Sequence, residues 1–218
     1  MFTTRFEAWV RRQAETLMKT LGRIPITPNQ ITVIGVLLTF VAAVLVGFGY
    51  LLGAGIVLIV GGTFDILDGA LARSSGRAYA YGAFLDSTLD RYSEGAIYLG
   101  LAVYFAGTPG PYQRWLLFGT VAALAGSFLV SYVRARAQSL GFVCDSGIFA
   151  RPERVVVTVV GLIFGGVVLY GVIALLAILT NFTALQRIRE VWLQGRAQRL
   201  AIEREAAAAP KRGNTVTP

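Results

Sequence analysis

Six apolar runs, at roughly 31–50, 51–72, 82–105, 114–136, 154–169 and 170–189, set the limits on what this chain can fold into. Each approaches the ~20 residues that a helix needs to cross a bilayer, the fifth being the shortest. In hydrocarbon every backbone N–H and C=O must find its partner within the segment, so single runs of this length become helices. The reading is an all-α integral membrane protein with six transmembrane helices, forming one polytopic domain over residues 26–193. A chain of 218 residues that is 55% hydrophobic and only 15% charged has the balance of a membrane protein rather than a soluble domain.

The flanks are different. Over residues 1–25, Phe2, Phe6, Trp9, Val10, Leu17, Met18 and Leu21 recur at helical spacing, with Arg5, Arg11, Arg12 and Lys19 around the rest of the turn. That pattern predicts an amphipathic helix in the membrane interface, and it lacks the continuous apolar core of a signal peptide. Thr27 is placed to cap the first span, with Pro28 at its first helical position. The charged, Ala-rich stretch 194–218 reads as a frayed helix followed by a disordered tail. Gly161 and Gly165 form a G-x-x-x-G that admits two readings, the seam of a homodimer or close packing within one chain; a homodimer is the expected assembly.

Charge placement sets orientation and partners. The net charge of +8 comes from basic residues that flank apolar runs, which points to anionic membrane lipid and away from nucleic acid. Arginines gather beside the first, second, fourth and fifth runs on one side, so the positive-inside rule puts both termini and the aspartate-bearing helix ends in the cytoplasm, at the cell membrane. The lone Cys144 excludes an internal disulfide. Histidine is absent, which removes imidazole bases and histidine-ligated zinc and leaves proton transfer to a carboxylate, Lys, Tyr or Cys.

Four carboxylates fall at membrane depth in the stretch Asp65 to Asp90. Asp65 and Asp68 are three apart and Asp86 and Asp90 four apart, so each pair shares a helix face. One such carboxylate costs ~2.5–3.5 kcal/mol on insertion scales; four repel one another as well, and Arg73 alone cannot neutralise them. Hard divalent cations can, because Mg²⁺, Mn²⁺ and Ca²⁺ take oxygen ligands. An ion path, as in a cation transporter, is the non-enzymatic alternative.

The full spacing is D-x2-D-G-x2-A-R-x8-G-x3-D-x3-D, with Asp65, Asp68, Gly69, Ala72, Arg73, Gly82, Asp86 and Asp90 at its fixed positions. It resembles the CDP-alcohol phosphotransferase family. The resemblance implies that Asp65, Asp68, Asp86 and Asp90 bind two Mg²⁺ ions, with Mn²⁺ as a substitute, and that Asp90 doubles as the catalytic base. Gly69, Ala72, Arg73 and Gly82 would line the pocket for a CDP-linked lipid, whose phosphate an alcohol attacks with loss of CMP. Intramembrane prenyltransferases also grip diphosphate through aspartates, but without the G-x2-A-R and x8-G elements.

The acceptor is sought among the arginines. Ser131, Arg134 and Arg136 end the fourth run, Arg151-Pro152-Glu153-Arg154 opens the fifth, and Arg187 lies late in the sixth. Arginine recognises phosphate oxygens bidentately, so Ser131, Arg134, Arg136, Arg154 and Arg187 form the candidate acceptor-phosphate set; anchoring at the positive side explains juxtamembrane arginines equally well. The S-Y-x-[KR]-A-R-A and R-P-E-R elements, with D-S-T-L-D-R, are similar to the inositol-phosphate-using branch of the family, the prokaryotic phosphatidylinositol phosphate synthases. Arg134 stands where lysine is common and Asn29 where an aspartate can occur. The substrates so implied are CDP-diacylglycerol and myo-inositol 1-phosphate, with glycerol 3-phosphate as the rival acceptor.

Overall fold

The computed structural model describes residues 27–74 and 79–208, and these form six helices with no strand. They are α1 (Pro28–Gly47), α2 (Leu51–Ser74), α3 (Ala80–Ala106), α4 (Gln113–Ser139), α5 (Arg151–Phe164) and α6 (Gly166–Ala208). The interfacial helix expected at 1–25 lies outside the described residues, as do 75–78 and 209–218. The cap of α1 is as expected, with one addition: Thr27 and Gln30 form a capping box in which each side chain takes the other's backbone N–H.

Four of these helices, α1, α2, α4 and α6, are long and apolar enough to cross a membrane. Their outward faces are correspondingly apolar, with Leu37, Val41 and Val44 all more than half exposed along α1 alone. Such a surface suits lipid and not water. α3 has the length, at 27 residues, but carries charge along its first half. α5, with 14 residues, reaches only ~21 Å, against ~30 Å of hydrocarbon.

α5 nevertheless joins the two ends of the bundle, from Arg151 beside the aspartates of α2 and α3 to Gly165 beside Leu51. The α5–α6 junction at Gly165 lies beside Leu51, the first residue of α2 after the α1–α2 turn. At the opposite end the loop between α4 and α5 is strapped to α6. Val143 exchanges two hydrogen bonds with the Gln194 side chain, the Ser146 N–H and hydroxyl both donate to Glu190, and Arg187 donates to the Ser146 carbonyl. The start of α5 and the end of α6 therefore share one end of the bundle, with their junction at the other. The apolar core fills the junction half, around Val46, Leu58, Leu101, Phe105, Leu162 and Ile173. The aspartates of α2 and α3 are left in the other half.

α6 continues past residue 193, through Gln194 to Ala208, held by the Gln194 strap and further out by an Arg199–Glu203 pair one turn apart. At 43 residues it extends ~65 Å, well past any bilayer. The G-x-x-x-G also proves internal. A side chain at Gly161 would press on Val172 and Leu169 of α6, and Gly165 closes α5 at φ 60, a conformation that suits glycine. That motif therefore gives no support to a dimer seam.

Helix α1 meets α2 at a pair of glycines. A Cβ on Gly35 would sit 3.2 Å from the Gly61 carbonyl oxygen, and one on Gly61 the same distance from that of Gly35. Gly61→Leu is thus expected to overpack this seam and cost about 1–3 kcal/mol. Gly62→Leu, facing open space, should leave thermal unfolding in detergent unchanged; equal effects from both would show that the seam is not closely packed.

Candidate active site

The apolar core ends where the charged residues begin. Asp65 and Asp68 lie toward the end of α2, Asp86 and Asp90 near the start of α3, and Arg151 and Arg154 in the first turn of α5. The three helices bring these groups to one place. Asp65, Asp68 and Asp86 each offer an oxygen, and the three oxygens lie within 4.8 Å of one another. Asp68 is buried at 5% exposure, and the Thr32 hydroxyl on α1 donates to its Oδ2 at 2.5 Å.

Asp90, the fourth expected ligand, does not join that triangle. Its Oδ1 meets Arg151 Nη2 at 2.7 Å, while Arg151 Nη1 meets Asp65 Oδ2 at 2.8 Å, and Arg91 approaches from the other side at 3.6 Å. One turn further along α3, Glu94 forms a two-pronged pair with Arg154, at 2.6 and 3.0 Å. Tyr98 follows on the same face, bonded to Ser127 of α4. Asp65, Asp90, Glu94, Tyr98, Arg151 and Arg154 border a cavity of about 440 Å³ between α1, α2, α3 and α5, whose remaining lining is largely aliphatic and glycine.

Formal charge shows what the site lacks. Among the described residues, Asp65, Asp68, Asp86, Asp90 and Glu94 bring five negative charges, and Arg91, Arg151 and Arg154 three positive, a deficit of two. In a medium that penalises unpaired charge this is an unstable balance, and the donors crowded together are all oxygen. Both features fit a divalent cation of the hard class.

The lipid-pocket residues are only partly visible. Gly69 follows Asp68 on α2, and Gly82 sits in the first turn of α3, where a Cβ would lie 3.5 Å from the Asn29 side chain. The side chains of Ala72 and Arg73 fall outside the described residues.

The acceptor arginines are not gathered into one cup. Arg154 is 2% exposed and each of its nitrogens is engaged, the third with the Phe149 carbonyl. Arg187, also buried, donates to the carbonyls of Ser146 and Val130. These two bind the bundle together; to serve a phosphate they would first have to leave buried acceptors unpaired. Ser131 lines a separate apolar groove of about 1240 Å³ between α1, α3 and α4. Arg134 and Arg136 stand exposed at the end of α4, Arg134 paired with Asp145 at 3.1 Å. Cys144, in the adjoining loop, is buried, and burial pushes its thiol pKa up, which makes it a poor proton acceptor or nucleophile.

Thr32, Glu94 and Arg151 were missed as site residues. Glu94 continues the stripe of Asp86 and Asp90 at a spacing of four, a signal that was available. Arg151 belongs to the same R-P-E-R as Arg154 but does the opposite job. Thr32 had no local signal at all.

An acidic, oxygen-only centre at one end of a lipid-exposed helical bundle defines a multi-pass membrane protein with a divalent-metal site. The chain belongs to the CDP-alcohol phosphatidyltransferase family, whose profile matches residues 25–189. It is 41% identical over 182 residues to the archaetidylinositol phosphate synthase of Pyrococcus horikoshii, covering 83% of this chain and 92% of that one. Among solved structures it resembles the phosphatidylinositol phosphate synthase of Mycobacterium tuberculosis with CDP-DAG bound, at TM-score 0.75 and 33% identity over 83% of this chain and 94% of that one. The same enzyme in complex with manganese and citrate matches at TM-score 0.76 and 33% identity, over 82% and 88% of the two chains.

The Glu94–Arg154 pair generates a stability test. Removing one partner of a buried pair strands the other, so Glu94→Gln or Arg154→Met alone is expected to cost about 3–5 kcal/mol. The double variant should cost less than the sum of the two in detergent unfolding. Strict additivity would mean that the pair does not form.

Proposed function

We propose that this chain transfers the phosphatidyl group of CDP-diacylglycerol to myo-inositol 1-phosphate, giving phosphatidylinositol phosphate and CMP. The observation that carries the reading is the Asp65–Asp68–Asp86 triangle, set in a chain whose relatives, named for archaetidyl and for phosphatidyl products, share inositol phosphate in their names. The metal is taken to be Mg²⁺, two ions per site, with Mn²⁺ as a substitute.

In the proposed step a hydroxyl oxygen of the acceptor forms a bond to the lipid-bearing phosphorus. The bridging P–O bond of the diphosphate breaks, and CMP departs with its electron pair. A divalent pair, when bound, would supply neutralisation of the diphosphate and of the leaving phosphate. Asp65, Asp68 and Asp86 hold that charge in place. Asp90, next to the triangle and not part of it, accepts the hydroxyl proton, a role worth about 10²–10⁴-fold in rate. Gly69, Ala72, Arg73 and Gly82 form the wall against which the cytidine end lies. Arg134 and Arg136 meet the acceptor's phosphate: the Arg134–Asp145 pair is surface-exposed, worth ~0–1 kcal/mol, and exchanges readily for a phosphate ligand.

Six membrane crossings in the cell membrane complete the proposal. α3 turns Asp86, Asp90 and Glu94 toward the bundle, and α5 joins the aspartate end to the α1–α2 turn. Arg134, Arg136, Arg151 and Arg154 all cluster at the aspartate end, which supports a cytoplasmic site.

Purified protein given CDP-diacylglycerol and Mg²⁺ should release CMP with inositol 1-phosphate and not with free inositol or glycerol 3-phosphate. Asp68→Asn should lower that rate by more than the roughly 10–100-fold lost with a merely supporting residue. Arg134→Ala with Arg136→Ala should raise the KM for inositol phosphate and leave that for the CDP-lipid unchanged. Preference for glycerol 3-phosphate would overturn the acceptor, and no CMP with any alcohol would overturn the reaction.

A further inference from the structure

Arg151 and Arg154 stand three apart on α5, and both reach carboxylates of α3, yet they are held differently. Arg154 engages one carboxylate with two nitrogens and a carbonyl with the third. Arg151 divides its guanidinium between two helices, one nitrogen on Asp65 of α2 and one on Asp90 of α3, and its Nε is buried with no acceptor. Its side chain keeps 27% exposure against 2% for Arg154. One arginine is thus locked, and the other is incompletely satisfied and open to the cavity.

Asp65 is also a corner of the carboxylate triangle. A guanidinium and a divalent ion on the same carboxylate draw on one negative charge and repel each other. We propose that Arg151 is an internal counter-ion that competes with the divalent cation for Asp65 and Asp90. It holds α2, α3 and α5 together while the site is unloaded. When metal enters, it gives up Asp65 and releases Asp90 to act as the base. Arg151 is on this view a positioning residue: it acts on the reaction only through the two aspartates. The inference rests on the metal reading of the preceding subsection and adds an order of events to it.

The competing role has the opposite sign to the usual one. A residue that merely orients metal ligands costs about 10–100-fold in metal affinity when removed. A competitor gives affinity back, because the lost charge-assisted bonds no longer oppose the metal, and about a ten-fold gain is the expected scale. Full-length protein in detergent, titrated with Mn²⁺ alone and read by the electron paramagnetic resonance of the free ion, separates the two. Arg151→Gln should bind Mn²⁺ about ten-fold more tightly than wild type. Arg151→Lys, which keeps the charge but cannot span both carboxylates, should fall between them, and it decides the matter if the glutamine variant does not fold. Unchanged or weaker binding overturns the inference.

Wild type offers a second readout. Modification by phenylglyoxal, located by peptide mass, should become faster at Arg151 when Mn²⁺ is added and stay slow at Arg154; protection or no change at Arg151 overturns the inference. If wild type and Asp68→Asn bind Mn²⁺ equally poorly, the metal reading itself fails, and this inference with it.

Discussion

Three carboxylate oxygens within 4.8 Å, in a bundle whose outer surface is built for lipid, is the arrangement on which the rest depends. Uncompensated, it would push α2 and α3 apart, since charges at such separations interact by several kcal/mol even at an effective dielectric near 20. Every neighbouring feature answers that repulsion. Thr32 donates to the most buried of the three, Arg151 ties α2 to α3, and Arg154 fastens α5 to Glu94 one turn deeper. The remaining negative charge is a demand for cations, and bound cations are in turn what a diphosphate substrate requires of its binding site.

The fold separates the work of stability from that of chemistry along the helix axes. The aromatic and aliphatic core lies toward the α1–α2 and α5–α6 turns, where glycines allow the helices to meet backbone to backbone. The opposite end carries almost all the buried charge, and it is held by specific pairs and by the strap from residues 143–146 to α6. Because Arg151 begins α5 directly after that strapped loop, the extension of α6 past the bilayer helps to position the active centre.

How much was legible follows from the range of the interactions. The six helices could be read because hydrocarbon enforces local pairing of the backbone, and each run declares itself by its own residues. The Asp65, Asp68 and Asp86 cluster could be read because i, i+3 and i, i+4 spacing fixes faces within a helix, and the motif placed the two faces opposite each other. Arg154 meets a partner that no local pattern announces: sequence shows an arginine at a helix start and cannot show that Glu94, 60 residues away, is there to receive it. Asp90 was close to its expected place but not in the triangle, for the same reason, since Arg151 reaches it across a tertiary contact. The strap that holds Gln194 on α6 was hidden too, because its partner Val143 is distant in sequence.

The direct measurement is the position of bound metal. Crystals of the wild-type protein grown with Mn²⁺ and recorded at the manganese absorption edge should show two anomalous peaks between α2 and α3. Oxygens of Asp65, Asp68 and Asp86 should lie at coordination distance, about 2.0–2.6 Å for hard cations. Manganese bound elsewhere, or only at the surface carboxylates of α6, would contradict the assignment of this cluster as the metal centre.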